Sequence, residues 1–171
     1  MRKITDRFLL GVISGLGGNF AKRALEKTFQ AIGFSQEKGT EKAAGIFLKK
    51  RYIKTPYGKM IGFVADNLIA SGLGVICIYT MTFMGKDKYL LKGAGLGLAE
   101  WTSLYGVISG LGATAIYPSK PKDTVALMLS HIAFGVTKIT IARHIGDERL
   151  FSPKDWSKEI INPQEFHLEE D

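Results

Sequence analysis

Charge is missing from two long stretches of this chain. No Asp, Glu, Lys or Arg lies between Asp66 and Lys86 or between Glu100 and Lys120, which leaves 19 residues in each gap, 67–85 and 101–119. A helix needs roughly 20 apolar residues to cross a bilayer, so each gap is about the length of a span. Cysteine is nearly absent as well: Cys77 is alone, which excludes an intrachain disulfide. No HxxxH, CxxC or HExxH spacing occurs, so the metal signal is weak. GxSxG and Walker motifs are missing too, and Gly15-Leu16-Gly17-Gly18 lacks the strand, Lys and Ser/Thr of a phosphate loop. These absences leave no motif for an enzyme, a cofactor or a metal, and none for nucleic acid.

What is present fits a membrane. Apolar residues make up 46% of the 171, an ordinary share, but the charges gather in residues 36–59, 86–92 and after Arg143. Polar connectors therefore dilute apolar helices. The 20 glycines are expensive in soluble helices and common in membrane ones, where they let backbones approach. The alternative is a soluble all-α bundle with unusually glycine-rich core helices. The net charge of +7 sits mainly beside apolar segments, where anionic lipid attracts it. Residues 1–20 resemble a signal peptide, but Lys22, Arg23, Glu26 and Lys27 follow where a cleavage site belongs, so the segment is expected to stay as a first helix.

The fold class expected is all-α: an integral membrane bundle of four transmembrane helices, at about 6–32, 59–84, 89–116 and 122–145. Asp6 or Thr5 caps the first helix and Gly33 ends it; Pro56 and Gly58 precede the second; Pro118 and Pro121 bracket the last turn. An interfacial helix is expected at 41–53, with Ala43, Ala44, Phe47 and Leu48 opposite Lys42, Lys49 and Lys50. Residues 1–150 form the membrane domain and 151–171 a polar tail that Trp156 and Phe166 can anchor. Lys and Arg fall almost equally on the two sides, so the positive-inside rule does not orient the chain.

Gly11-Val-Ile-Ser-Gly-Leu-Gly17 recurs as Gly106-Val-Ile-Ser-Gly-Leu-Gly112. Either a helical hairpin was duplicated or two sites need one close-packing surface. Gly11/Gly15, Gly93/Gly97 and Gly106/Gly110 are all GxxxG pairs and are expected at helix contacts.

Six ionisable residues fall in or beside the apolar runs, and at membrane depth such groups are expensive and face inward. Lys22 and Glu26, four apart on one face, are expected to pair with each other near the interface, with Lys22 snorkelling; the alternative puts Glu26 in a polar bundle interior. Asp66 and Glu100 do not lie level on antiparallel helices, which argues against a carboxylate dyad. Lys138 can neutralise either of them. His131, seven residues before Lys138 and on its face, reads more readily as a hydrogen-bonded packing residue than as a ligand.

Gly11, Gly15, Lys22 and Glu26 form a G-x3-G-x6-K-x3-E pattern. Gly93-x3-Gly97 opens the third helix, and the fourth carries His131 and then Arg143. This resembles the YagU-like family of small bacterial inner-membrane proteins, whose molecular function is unknown. The resemblance implies a multi-pass protein of the bacterial cytoplasmic membrane, with an association with acid tolerance. The function expected is that of a non-enzymatic membrane protein acting by packing, with the bilayer and a second copy or another membrane protein as partners. The alternative is a proton- or cation-handling transporter or channel using Asp66, Glu100 and His131.

Overall fold

The computed structural model describes residues 3–85, 87–117 and 119–151. Trp156, Phe166 and the rest of the expected tail lie outside the described residues. The described chain is all-helical, with five α-helices: α1 (Arg7–Ala31), α2 (Gly39–Phe47), α3 (Pro56–Met84), α4 (Tyr89–Trp101) and α5 (Pro121–Ile145). Short 3-10 turns cover Lys50–Tyr52 and Glu148–Phe151.

Local chemistry sets the helix ends. The Asp6 carboxylate accepts from the Leu9 N–H and starts α1, and Gly33 follows its end at φ +70°. Thr55 caps α3 ahead of Pro56, and Gly85, at φ +72°, stops it. Pro121 opens α5 and Gly146 caps it. Gly146 then joins Ile4 in a parallel bridge, with Ile4 N–H donating to Ile145 O and Asp147 N–H to Ile4 O, both at 2.9 Å.

Two helices, α3 and α5, are long and apolar enough to cross a membrane. The expected third helix, 89–116, is shorter. It is α-helical only to Trp101 and continues as a π-helix over Thr102–Ile108. Helix ends at Gly110, and Gly112 takes φ +84°. Three glycines in seven residues, 106, 110 and 112, weaken the helix here. Ser109 Oγ also competes for the Leu104 carbonyl at 2.7 Å. The connector helix is likewise shifted: α2 ends at Phe47, and Leu48 is extended. Its faces differ from expectation too. Lys42 is buried with Ala43 and Ala44, while Phe47 stands exposed.

The spatial order is α3, α1, α5, α4, with α2 lying on α3. Packed neighbours run antiparallel. Gly11 meets Val75 and Gly15 meets Ala70, so α1 runs against α3; Gly93 meets Gly135 and Gly97 meets His131, so α4 runs against α5. Although a short turn joins α3 and α4, they share no extensive interface.

Glycine permits these approaches. A Cβ on Gly15 would lie 2.3 Å from the Ala70 carbonyl oxygen, and one on Gly97 would lie 2.1 Å from that of His131. Gly74 and Gly135 complete the same contacts from the facing helices, against the carbonyls of Gly11 and Gly93. Gly106 and Gly110 do not take part. A Cβ on Gly106 would come no nearer than 3.8 Å to Thr102 Cγ2, and one on Gly110 no nearer than 3.7 Å to Tyr117 OH, so neither glycine of the second copy is needed for a close helix contact. One copy begins a packed helix and the other sits in the π-helix and the turn after it, which removes the common surface expected of the repeat.

Candidate functional site

The glycine register of α1 on α3 determines which polar groups meet. One turn beyond the contact of Gly15 with Ala70, Asn19 reaches Asp66 and donates to its Oδ2 at 2.9 Å. Lys22, on the next turn of the same face, closes on Asp66 Oδ1 at 2.6 Å. Asn19 also donates to Asn67 Oδ1 at 3.2 Å. All three members of this Asn19–Lys22–Asp66 cluster are buried. Asp66 is ten residues into α3, about 15 Å along its axis.

Lys22 therefore pairs with Asp66 and not with Glu26. Spacing along one helix shows a local partner, but a carboxylate on the neighbouring helix meets the ammonium more closely. Glu26 instead accepts from the Gly39 N–H at 3.2 Å, at the start of α2, and its Oε1 is buried without a hydrogen-bond partner.

A second buried pair joins α5 to α4: the Lys138 ammonium donates to Glu100 Oε1. Glu100 Oε2 has no hydrogen-bond partner. The Phe134 ring lies between the two pairs, with the Lys138 ammonium 4.2 Å and the Lys22 ammonium 6.0 Å from its centroid. That placement suits a cation held at an aromatic face. Asp66 and Glu100 are thus neutralised by different lysines and form no dyad.

His131 is fully enclosed on α5. Its Nδ1 lies 2.9 Å from the Leu127 carbonyl, so Nδ1–H is the donor and Nε2 is left as an acceptor. Tyr105, from the π-helix, meets the imidazole edge-on at 5.1 Å. Among the described residues, no group of three or more His, Cys, Asp or Glu is placed to hold a metal ion.

A cavity of about 50 Å³ adjoins this cluster, walled by α2, α3, α5 and the π-helix with the turn after it. Lys22, Asp66, Lys42, Tyr105 and His131 are among its polar lining, and Ile46, Ile69, Leu73, Leu104 and Ile108 among its apolar lining. A polar wall of this kind and size suits a few water molecules. Leu10, Ile78, Met81, Ile139 and Phe151 belong to a buried apolar cluster.

Three polar residues escaped the sequence reading. Lys42 pairs with Glu37 at 2.9 Å and donates to the Ile116 carbonyl at 3.2 Å, which ties α2 to the segment before α5. Asp123 accepts from Ser35 Oγ and the Gln36 N–H, both at 2.7 Å, and clamps the connector onto the start of α5. In the sequence both resemble ordinary members of charged stretches. Asn19 was more legible: it is the one amide in the first apolar run and lies three residues before Lys22. At the other end of the bundle, the Lys92 ammonium donates to Asp87 at 2.8 Å and holds its exposed carboxyl below the usual range.

Compared with protein-family models, curated proteins and solved structures, the chain matches none.

Proposed function

We propose that this chain is a small multi-pass protein of the bacterial cytoplasmic membrane. In this reading α1, α3, α4 with its π-helix, and α5 are four spans, and the protein is not an enzyme but acts by association within the bilayer. The observation that carries it is an inverted distribution of polarity. Lys138, His131 and Asn19 are at most 1% exposed, while Phe20 is 78% and Leu91 72% exposed. Phe8, Leu68, Phe83 and Leu129 continue the exposed apolar surface over three helices. In water so extensive an apolar surface marks an interaction site; against lipid it is the expected exterior. The charges inside would specify the packing, as buried polar groups do where a unique arrangement is required. The resemblance to YagU-like proteins supports the bacterial cytoplasmic membrane as the location. Gly11, Gly15, Gly93 and Gly97 are used within the chain, so self-association or a membrane partner would employ the outer apolar faces. Alkaline carbonate extraction of membranes tests the reading: the protein is expected to stay in the pellet and to need detergent, and release as a soluble monomer would overturn it.

The cavity against Lys22, Asp66 and His131 favours a second reading, proton or cation handling. Asp66→Asn in reconstituted vesicles separates the two. If packing is the role, the substitution changes thermal stability and no flux is found in either protein. If ion handling is the role, a pH-dependent flux of the unaltered protein disappears while the fold survives.

A further inference from the structure

A second pocket, of about 330 Å³, opens where the last turns of α1 meet the starts of α2 and α3. Arg23, Lys27, Lys38 and Lys59 line it. The antiparallel register that sets Asn19 against Asp66 continues outward. Arg23 comes level with Phe63 and stacks on it at 4.6 Å, and four residues further Lys27 comes level with Lys59. Lys27, Lys38 and Lys59 are exposed and form no ion pair among the described residues. Two carboxylates, Glu26 and Glu41, share the wall. Four cations less two carboxylates leave the lining at +2.

The surface turns apolar immediately on the bundle side of these cations. Leu16 and Phe20 lie on the same stripe of α1 as Arg23 and Lys27, at spacings of four, three and four residues. Both are exposed, as are Phe63 and Val64 on α3. A cationic mouth thus stands at the head of an apolar strip that runs toward the middle of the bundle.

We propose that this pocket seats the phosphate of an anionic membrane phospholipid, with its acyl chains along Leu16, Phe20 and Phe63. The inference rests on the membrane reading given above. Charge complementarity selects a net-anionic headgroup, and basic pockets between membrane helices are suited to such groups. The two acids favour a headgroup that also donates hydrogen bonds. Glu41, the less buried of the two, is the acceptor within reach of the pocket, and the hydroxyls of phosphatidylglycerol supply such donors.

The experiment uses the full chain in detergent, with melting followed as phosphatidylglycerol or phosphatidylcholine is added. Phosphatidylglycerol is expected to raise the midpoint and phosphatidylcholine to leave it unchanged. Each exposed lysine contributes about five-fold to half-saturation, so Lys27→Gln with Lys59→Gln should weaken it roughly thirty-fold. Lys49→Gln with Lys50→Gln, on the exposed connector outside the pocket, should change nothing. Melting without lipid reports whether each variant folds, and Lys38→Gln alone, expected to weaken binding five-fold, serves if the paired variant does not. Equal responses to the two lipids overturn the site, as does equal loss in the two paired variants, which would mean diffuse attraction to the surface. A protein that stays in water without detergent removes the membrane reading itself. One that needs detergent but ignores phosphatidylglycerol removes only the lipid site.

Discussion

Replacing Lys138 with methionine is expected to destabilise the protein by about 3–5 kcal/mol, the usual cost of leaving one member of a buried ion pair behind. Glu100 would then keep neither oxygen paired, since Oε2 already lacks a hydrogen-bond partner and Oε1 bonds only to Lys138. The flexible methionine fills much of the lysine's volume, so the loss reports charge and not a cavity. Removing both charges, as Lys138→Met with Glu100→Leu, should recover most of the stability, because the desolvation cost disappears with the attraction. Lys22→Met is expected to cost less than Lys138→Met. Asp66 would retain the Asn19 donor at 2.9 Å and borders the cavity, where water can reach it. Thermal melts in detergent of the three variants check this order. Equal losses in the single and double Lys138 variants would show that the pair is not coupled.

Gly97→Leu is expected to be at least as damaging, at about 3 kcal/mol or more, toward or beyond the upper end for overpacked cores. Its first side-chain carbon alone would fall 2.1 Å from the His131 carbonyl oxygen, and backbone cannot rotate aside as a side chain can. Gly15→Leu meets the Ala70 carbonyl in the same way at 2.3 Å. Gly106→Ala should be neutral or slightly stabilising. It has no close neighbour from another helix, and alanine is the better helix former by about 1 kcal/mol in water. The contrast is sharp because Gly15 and Gly110 occupy the same place in identical heptapeptides. Melting temperatures of Gly15→Leu and Gly110→Leu decide it: a large loss in the first and little in the second is expected. Comparable losses would contradict the helix contacts described above.

Helix positions were the legible part of this chain. The fourth expected helix, 122–145, differs by one residue from Pro121–Ile145, because proline and glycine mark both ends. The third was overextended, since an uncharged run of residues shows apolarity but not the conformation of its glycines. The burial of Asp66, Glu100, His131 and Lys138 was also legible, whereas Lys22 and Glu26, expected as a pair near the interface, lie inside with them. Their pairing was not legible, except that Glu100 was one of two partners foreseen for Lys138. Lys22 and Glu26 stand four residues apart whatever surrounds them, whereas the approach of Asp66 depends on the depth to which Gly11 and Gly15 let α1 sink onto α3. The two heptapeptides make the same point from the other side. Identical residues have identical propensities, yet one copy faces a helix backbone and the other does not.

The order α3, α1, α5, α4 has a consequence for how the bundle is assembled. The helices that share the central position, α1 and α5, are separated by three others along the chain, and Leu10 touches Gly146. A growing polypeptide therefore cannot complete the interior by adding one hairpin after another. Until α5 is made, α1 has only one of its two flanking helices, and Glu100 has no cation. The closing of the structure, with its loss of chain freedom over more than a hundred residues, belongs to the last stage of synthesis. Long-range closure of this kind slows folding, and it makes α5 the element whose arrival converts separate helices into a single cooperative unit.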